Sequence, residues 1–167
     1  MFSLKTPFAL VLALALEAAY GGPMPALKTI TLERDCNGCL SGSRLAFHAD
    51  GSAQVATVGK ARLGTADSLC EGRVSIETFE ELARLATTGG FLQLDAEIAD
   101  PQVQDGPWLT LRAEYADGSA KQVFSRGEMA PASLTELVQA IDAAARRIAV
   151  DTPQAKGEDC GFRATPR

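Results

Sequence analysis

Apolar and polar residues alternate along five short stretches, which predicts strands with one buried and one exposed face. Two pairs of these stretches are joined by tight-turn sequences, Asp50-Gly51 and Asp117-Gly118. An Asp-Gly pair between alternating segments indicates a β-hairpin. The predicted strands are 28–34, 44–48, 53–58, 108–115 and 120–125.

Helical spacing of apolar residues replaces alternation in two other stretches. Ser75 is a predicted N-cap for a helix over 76–88, and Gly89-Gly90 supplies its end. Ser133 and Glu136 form a capping box that opens a second helix, which bears an apolar stripe. The segment 60–72 is expected to be irregular, and 95–106 is expected to be an acidic loop. Strand pairs and helices in this order predict an α+β fold: an antiparallel sheet of about 4–6 strands, including two β-hairpins, with two helices packed on one face.

The amino terminus is typical of a secretory signal peptide. A short start with Lys5 is followed by an unbroken apolar run over 8–16, and small residues come after it. The run is shorter than the ~20 residues that a membrane-spanning helix needs. We therefore expect a signal peptide over 1–21, a single α+β domain over 27–150, and a weakly ordered tail over 151–167. The mature protein is expected to be periplasmic or secreted, without stable membrane insertion.

Charge and cysteine count narrow the function classes. The net charge is −5 and the basic residues are scattered, so nucleic-acid binding is not expected. Four cysteines in an exported chain indicate two disulfides, and three pairings are open. Long-range bridges from Cys70 and Cys160 to the Cys36/Cys39 turn are favoured, because closing longer loops removes more unfolded-state entropy.

Candidate chemistry is sparse. Cys36 and Cys39 could form a redox site, but turn residues and a strand follow them instead of a helix. With one histidine, His48, a zinc site would need all four cysteines, so neither a metal nor a cofactor is expected. On the strand alternation, His48 is expected to be an exposed strand residue.

The acidic loop and the tryptophan beside it are the candidate partner-binding residues. A tryptophan at a sheet edge can anchor a partner, and carboxylates can bind Ca²⁺, although the spacing here is not that of an EF-hand. These candidate residues are Asp95, Glu97, Asp100, Asp105 and Trp108.

Several motifs occur in a recognisable order over most of the mature chain. They are a strand that runs into a cysteine turn (32–39), Asp50-Gly51, a helix start (74–79), a Phe-Leu-Gln-Leu segment (91–94) and Asp117-Gly118. In this order the chain resembles the bacterial family called domain of unknown function 6438. The family's second cysteine usually comes four positions after the first and precedes Pro, whereas here it comes three positions after and precedes Leu40. The resemblance implies a fold and export rather than an activity.

These patterns together predict an exported, disulfide-stabilised, non-catalytic domain that binds a protein or envelope component. No set of nucleophile, base and acid stands out, so an enzyme is not expected. The first alternative is a thiol–disulfide redox protein that uses Cys36 and Cys39. The second is an inhibitor of an extracytoplasmic hydrolase, and no pattern names its target. The sequence specifies neither the partner nor the oligomeric state.

Overall fold

The computed structural model describes residues 25–127 and 130–150, so the predicted signal peptide and the tail over 151–167 lie outside the described residues. The secondary structure alternates groups of strands with two helices, α1 and α2. The strands are β1 (Leu27–Cys36), β2 (Ser41–His48), β3 (Ser52–Gly59), β4 (Ser68–Arg73), β5 (Glu97–Ala99), β6 (Pro107–Tyr115), β7 (Ala120–Arg126) and β8 (Ala149–Val150); the helices are α1 (Ile76–Thr88) and α2 (Ala132–Ala145).

All the strands join one sheet with the order β5-β7-β6-β1-β2-β3-β4-β8. Neighbouring strands are antiparallel except β5 and β7, which are parallel. The α+β class is confirmed. The expected count of about 4–6 antiparallel strands is wrong, because the described sheet has eight strands and is mixed. The additional strands are short and lie toward the two sides of the sheet.

Two of the additional strands lie in segments that were predicted to lack regular structure. β4 overlaps the end of 60–72, and β5 lies within the acidic loop. Exposure alternates along β4, but its apolar Leu69 is on the exposed side and is 59% exposed, so its sequence shows no strand pattern. It forms because β3 offers it a hydrogen-bonding edge, with Val55 opposite Cys70. Pairing to a neighbour outweighs local preference here, as is common for strands.

The core lies between one face of the sheet and the two helices. On β1, Ile30 and Leu32 point inward and are paired with Phe47 and Leu45 of β2. Leu111 of β6 lies on the other side of Leu32. These side chains form one buried cluster with residues of both helices, among them Phe79, Leu82, Leu134, Leu137 and Ile141. The opposite face, which we call the outer face, carries the alternate residues of the same strands.

The helix starts differ from each other. Ser75 caps α1, since its hydroxyl accepts a hydrogen bond from the backbone N–H of Thr78. The predicted capping box of α2 is wrong: the N-cap is Pro131, without a side-chain cap, and Ser133 lies inside the helix. The Pro131 carbonyl accepts hydrogen bonds from the backbone N–H and the hydroxyl of Thr135. These bonds place the helix start two residues earlier than a cap at Ser133 would.

Candidate functional site

The turn between β1 and β2 is closed by a disulfide. Cys36 ends β1, and it is bonded to Cys39, with 5.3 Å between the two Cα atoms. The backbone N–H of Cys39 also donates to the Cys36 carbonyl. Gly38 has a φ of +84°, a conformation that favours glycine and lets the chain reverse within so few residues. The two cysteines are therefore held in a compact turn at one end of the sheet.

This pairing corrects the favoured long-range connectivity. Cys36 and Cys39 are bonded to each other, so neither is available to Cys70 or Cys160. Cys70 is itself disulfide-bonded. Cys160 lies outside the described residues. Loop-closure entropy does not decide the pairing here, because the hairpin turn brings Cys36 and Cys39 to bonding distance.

A cleft of about 700 Å³ opens beside the disulfide turn, where several strands of the sheet end. Its lining comes from the ends of β1, β2, β3, β6 and β7 and from the segments that follow them. We call it the rim cleft. It is lined by Arg34, Asp35, Cys36, Cys39, Ser41, Gly42, Ser43, Thr57, Asp105, Pro107, Trp108, Leu109, Ser125, Gly127 and Ala130.

An ion pair fixes one wall of the rim cleft. The Lys60 ammonium donates to the Asp35 carboxylate at 2.7 Å and to the Cys36 carbonyl at 2.9 Å. The hydrogen bond from Lys60 lowers the pKa of Asp35 below its ordinary value and outweighs the effect of burial, which raises it. The ammonium thus ties the segment after β3 to the last residues of β1.

Low pH is expected to break the ion pair between Lys60 and Asp35. Because the pKa of Asp35 is lowered in the folded state, its contribution to stability is fully present above the ordinary value of 3.8 and is lost as the pH falls through the folded pKa. We expect the wild-type protein to lose more stability below about pH 4 than the Asp35→Asn variant does. Urea unfolding at a series of pH values measures both slopes. If the free energies of unfolding of the two proteins fall in parallel with pH, the Lys60–Asp35 ion pair does not contribute to stability as stated.

A second ion pair fixes the opposite side of β1. Arg34 donates two hydrogen bonds to Asp142 of α2, at 2.8 Å and 2.9 Å. Such a two-pronged pair holds the planar guanidinium in one orientation. An arginine two residues before Cys36 could support a cysteine thiolate, but the Arg34 guanidinium is engaged by the Asp142 carboxylate.

The lining of the rim cleft includes a buried serine. Ser125 is 4% exposed and is the buried polar residue of the described core. A hydroxyl both donates and accepts hydrogen bonds. Ser125 thus adds a polar side chain to a lining that also contains the apolar Trp108 and Leu109.

The structure brings only part of the predicted partner-binding set together. Trp108 and Asp105 line the rim cleft, and Asp105 accepts a hydrogen bond from Asn37 at 2.7 Å. Asp100 instead accepts from the backbone N–H of Gln102, while Asp95 and Glu97 are exposed elsewhere. Across 25–127 and 130–150, no three His, Cys, Asp or Glu side chains cluster as metal ligands. The described carboxylates of the acidic loop are therefore not arranged as a Ca²⁺ site.

His48 lies away from the rim cleft. Its Nδ1 is 3.1 Å from the Thr29 hydroxyl on the outer face, and it is half-buried, not exposed as expected. The strand alternation did place it correctly opposite to Leu45 and Phe47. Its hydrogen bond to a neighbouring strand accounts for the lower exposure.

Sequence reasoning missed Lys60, Ser125 and Asp142. Lys60 and Asp142 act through contacts that span 25 and 108 positions, and no local pattern encodes such distances. Ser125 did carry a signal, because alternation along β7 places it on the same inward face as Val123. A serine at an inward strand position is a sign of a polar site in the core.

Comparison with protein-family models and with curated proteins gave no match. The resemblance to domain of unknown function 6438 therefore stays a prediction. Among the described residues, neither helix is long and apolar enough to cross a membrane.

Proposed function

We propose that this protein is an exported, non-catalytic binding domain that holds a segment of a partner protein in the rim cleft. The observation that carries the proposal is a cleft of about 700 Å³ beside the disulfide turn, whose lining joins apolar surface to polar groups such as Ser125 and Asp105. That volume falls within the range of about 300–1,000 Å³ that is typical of ligand sites. Trp108 and Leu109 add apolar surface, which favours a peptide segment with an apolar side chain.

The walls of the rim cleft are pre-organised, which supports binding. The disulfide holds the β1–β2 turn, Asn37 ties that turn to Asp105, and Lys60 ties it to the segment after β3. A site that is already ordered loses less conformational entropy when a partner binds. Recognition at this place therefore does not require a large rearrangement.

Export is part of the proposal and is supported by the sequence. The apolar run over 8–16 is typical of a signal peptide, and none of the described cysteines is free. Disulfides persist in oxidising compartments such as the periplasm or the extracellular space. The partner is accordingly expected to be an envelope or secreted protein. The resemblance to a family of exported bacterial domains agrees with this location.

Site-specific photo-crosslinking in the exporting cell tests the proposal. A photoreactive amino acid at Thr57, an exposed residue of the rim cleft, is expected to capture a partner protein. The matched control carries the same group at Arg84, an exposed residue of α1. The expected result is an adduct at position 57 that is absent at position 84. Equal labelling at both positions, or no adduct at position 57, would contradict the proposal.

A second candidate function is thiol–disulfide exchange, and the Cys36–Cys39 bond favours it. A substrate thiolate would attack one of the two sulfurs and break their bond, which forms a mixed disulfide and frees the other cysteine as a thiolate. A second substrate thiol would then displace the mixed disulfide. The substrate leaves as a disulfide, two electrons pass to Cys36 and Cys39, and both of these end as thiols.

A reduced dithiol peptide distinguishes the two candidates. The redox function predicts that the wild-type protein oxidises the peptide and that the Cys36→Ser/Cys39→Ser variant does not. Alkylation of the remaining peptide thiols and mass spectrometry measure the oxidation. The bridge closes a loop of only four residues, so its loss costs about 2 kcal/mol by the chain-entropy model, and the variant is expected to fold. Equal peptide oxidation by the two proteins would exclude the redox function.

A further inference from the structure

The outer face carries a polar hollow that the proposed function does not use. It has a volume of about 360 Å³ and lies over the middle strands, on the opposite side of the sheet from the helices. Long polar side chains from five adjacent strands surround it. The polar residues of its lining include Glu33, Arg44, Gln54, Thr110, Arg112 and Gln122.

Charges on this face are balanced. Arg44 donates to Glu33 at 2.6 Å, and Arg112 donates to Glu114 at 2.9 Å. Because each cation has a carboxylate beside it, the hollow has no excess of either sign. A polyanion needs an uncompensated group of cations, and none is present at this hollow. The balance points to a neutral ligand that is rich in hydrogen-bonding groups.

An aromatic pair borders the polar hollow. Trp108 and Phe124 lie with their ring centroids 6.0 Å apart, and Phe124 is paired with Thr110 of the hollow's lining. Both rings are half-buried, so each keeps an accessible part. Beside them, Arg126 is paired with Trp108, and its Nε is buried without a hydrogen-bond partner. Apolar ring surface thus adjoins planar polar groups on one face of the sheet.

We infer that the outer face binds a neutral oligosaccharide. A sugar offers vicinal hydroxyls, which suit the planar guanidinium and amide groups of Arg112 and Gln122, and a C–H face, which suits the aromatic pair. Sheet faces bind oligosaccharides in other folds as well. An apolar peptide would cover the Gln122 amide without offering it a hydrogen bond, which is costly. The inference goes beyond the proposed function, because it concerns a different hollow and a different class of ligand. Trp108 lies between the hollow and the rim cleft.

Calorimetric titration with two neutral β-1,4-linked tetrasaccharides, cellotetraose and chitotetraose, tests the inference. At least one is expected to bind the wild-type protein at millimolar concentration or below. Arg112→Ala and Gln122→Ala, which alter register partners in the hollow, are each expected to weaken binding about tenfold. Arg84→Ala on α1 is the matched control and is expected to bind like the wild type.

Three results would overturn the inference. They are no heat with either tetrasaccharide, unchanged binding in both hollow variants, and, in a parallel titration with a sulfated polysaccharide, binding to that polymer alone that added salt abolishes. Thermal unfolding first confirms that each variant is folded. If Arg112→Ala does not fold, Arg112→Lys replaces it, since lysine keeps the charge but loses the planar guanidinium group.

A Ser43→Trp variant separates the two proposals. Its substitution lies in the rim cleft and not in the polar hollow, so it is expected to bind the tetrasaccharide like the wild type.

Discussion

Replacing Phe47 with alanine is expected to lower the free energy of unfolding by about 3–5 kcal/mol. Phe47 is fully buried on β2, with Ile30 on one side and Ala53 on the other. The truncation removes transfer free energy and leaves a cavity in the centre of the sheet. Because small domains are stable by only about 5–15 kcal/mol, a large share of the stability would be lost. Denaturant unfolding followed by circular dichroism measures the change.

Leu69→Ala is the matched control for Phe47→Ala. Leu69 also lies on a strand, but it is 59% exposed. Its truncation is expected to change the free energy of unfolding by no more than about 0.5 kcal/mol. Comparable losses in the two variants would show that the core is not where the structure places it.

Gly42→Ala is expected to lower the free energy of unfolding by about 2–3 kcal/mol. A Cβ atom at this buried position would lie 2.9 Å from the Arg34 carbonyl oxygen and 3.2 Å from Cγ of Asp35. The backbone oxygen belongs to the paired strand β1 and cannot move aside without breaking the ladder. The Asp35 carboxylate would also shift away from Lys60, so the rim cleft would be distorted. Denaturant unfolding measures the loss.

Gly118→Ala separates crowding from backbone strain. Gly118 has a φ of +85°, and a Cβ there would meet nothing within 4 Å. Alanine at this turn is expected to cost only the strain of the left-handed conformation, about 1–2 kcal/mol. If Gly42→Ala costs less than Gly118→Ala, the close approach of β1 and β2 at Gly42 is not tight.

Local pattern was enough to predict the elements that have strong local signals. The Asp-Gly hairpins and the bounds of α1 come directly from turn and cap chemistry, and the structure confirms them. β4, β5 and the start of α2 could not be predicted in the same way. β4 and β5 exist because neighbouring strands offer them an edge, and Pro131 gives α2 an earlier start.

The candidate site was predictable only where its residues are close in the chain. Trp108 and Asp105 were identified from the strand end and the acidic loop, and both line the rim cleft. The contacts of Lys60 and Asp142 join distant segments and depend on the order of the strands. The Cys36–Cys39 bond was misjudged, because loop entropy was weighed without the geometry of the turn.

Calorimetry with the partner captured at position 57 measures whether the rim cleft binds a partner protein. Ser43 is exposed in the rim cleft, so Ser43→Trp fills the cleft without crowding the core, and Glu80→Trp on α1 adds the same side chain elsewhere. If the partner binds in the rim cleft, Ser43→Trp is expected to bind it at least tenfold more weakly, and Glu80→Trp is expected to bind it like the wild type. Equal affinity of wild type and Ser43→Trp would contradict binding in the rim cleft.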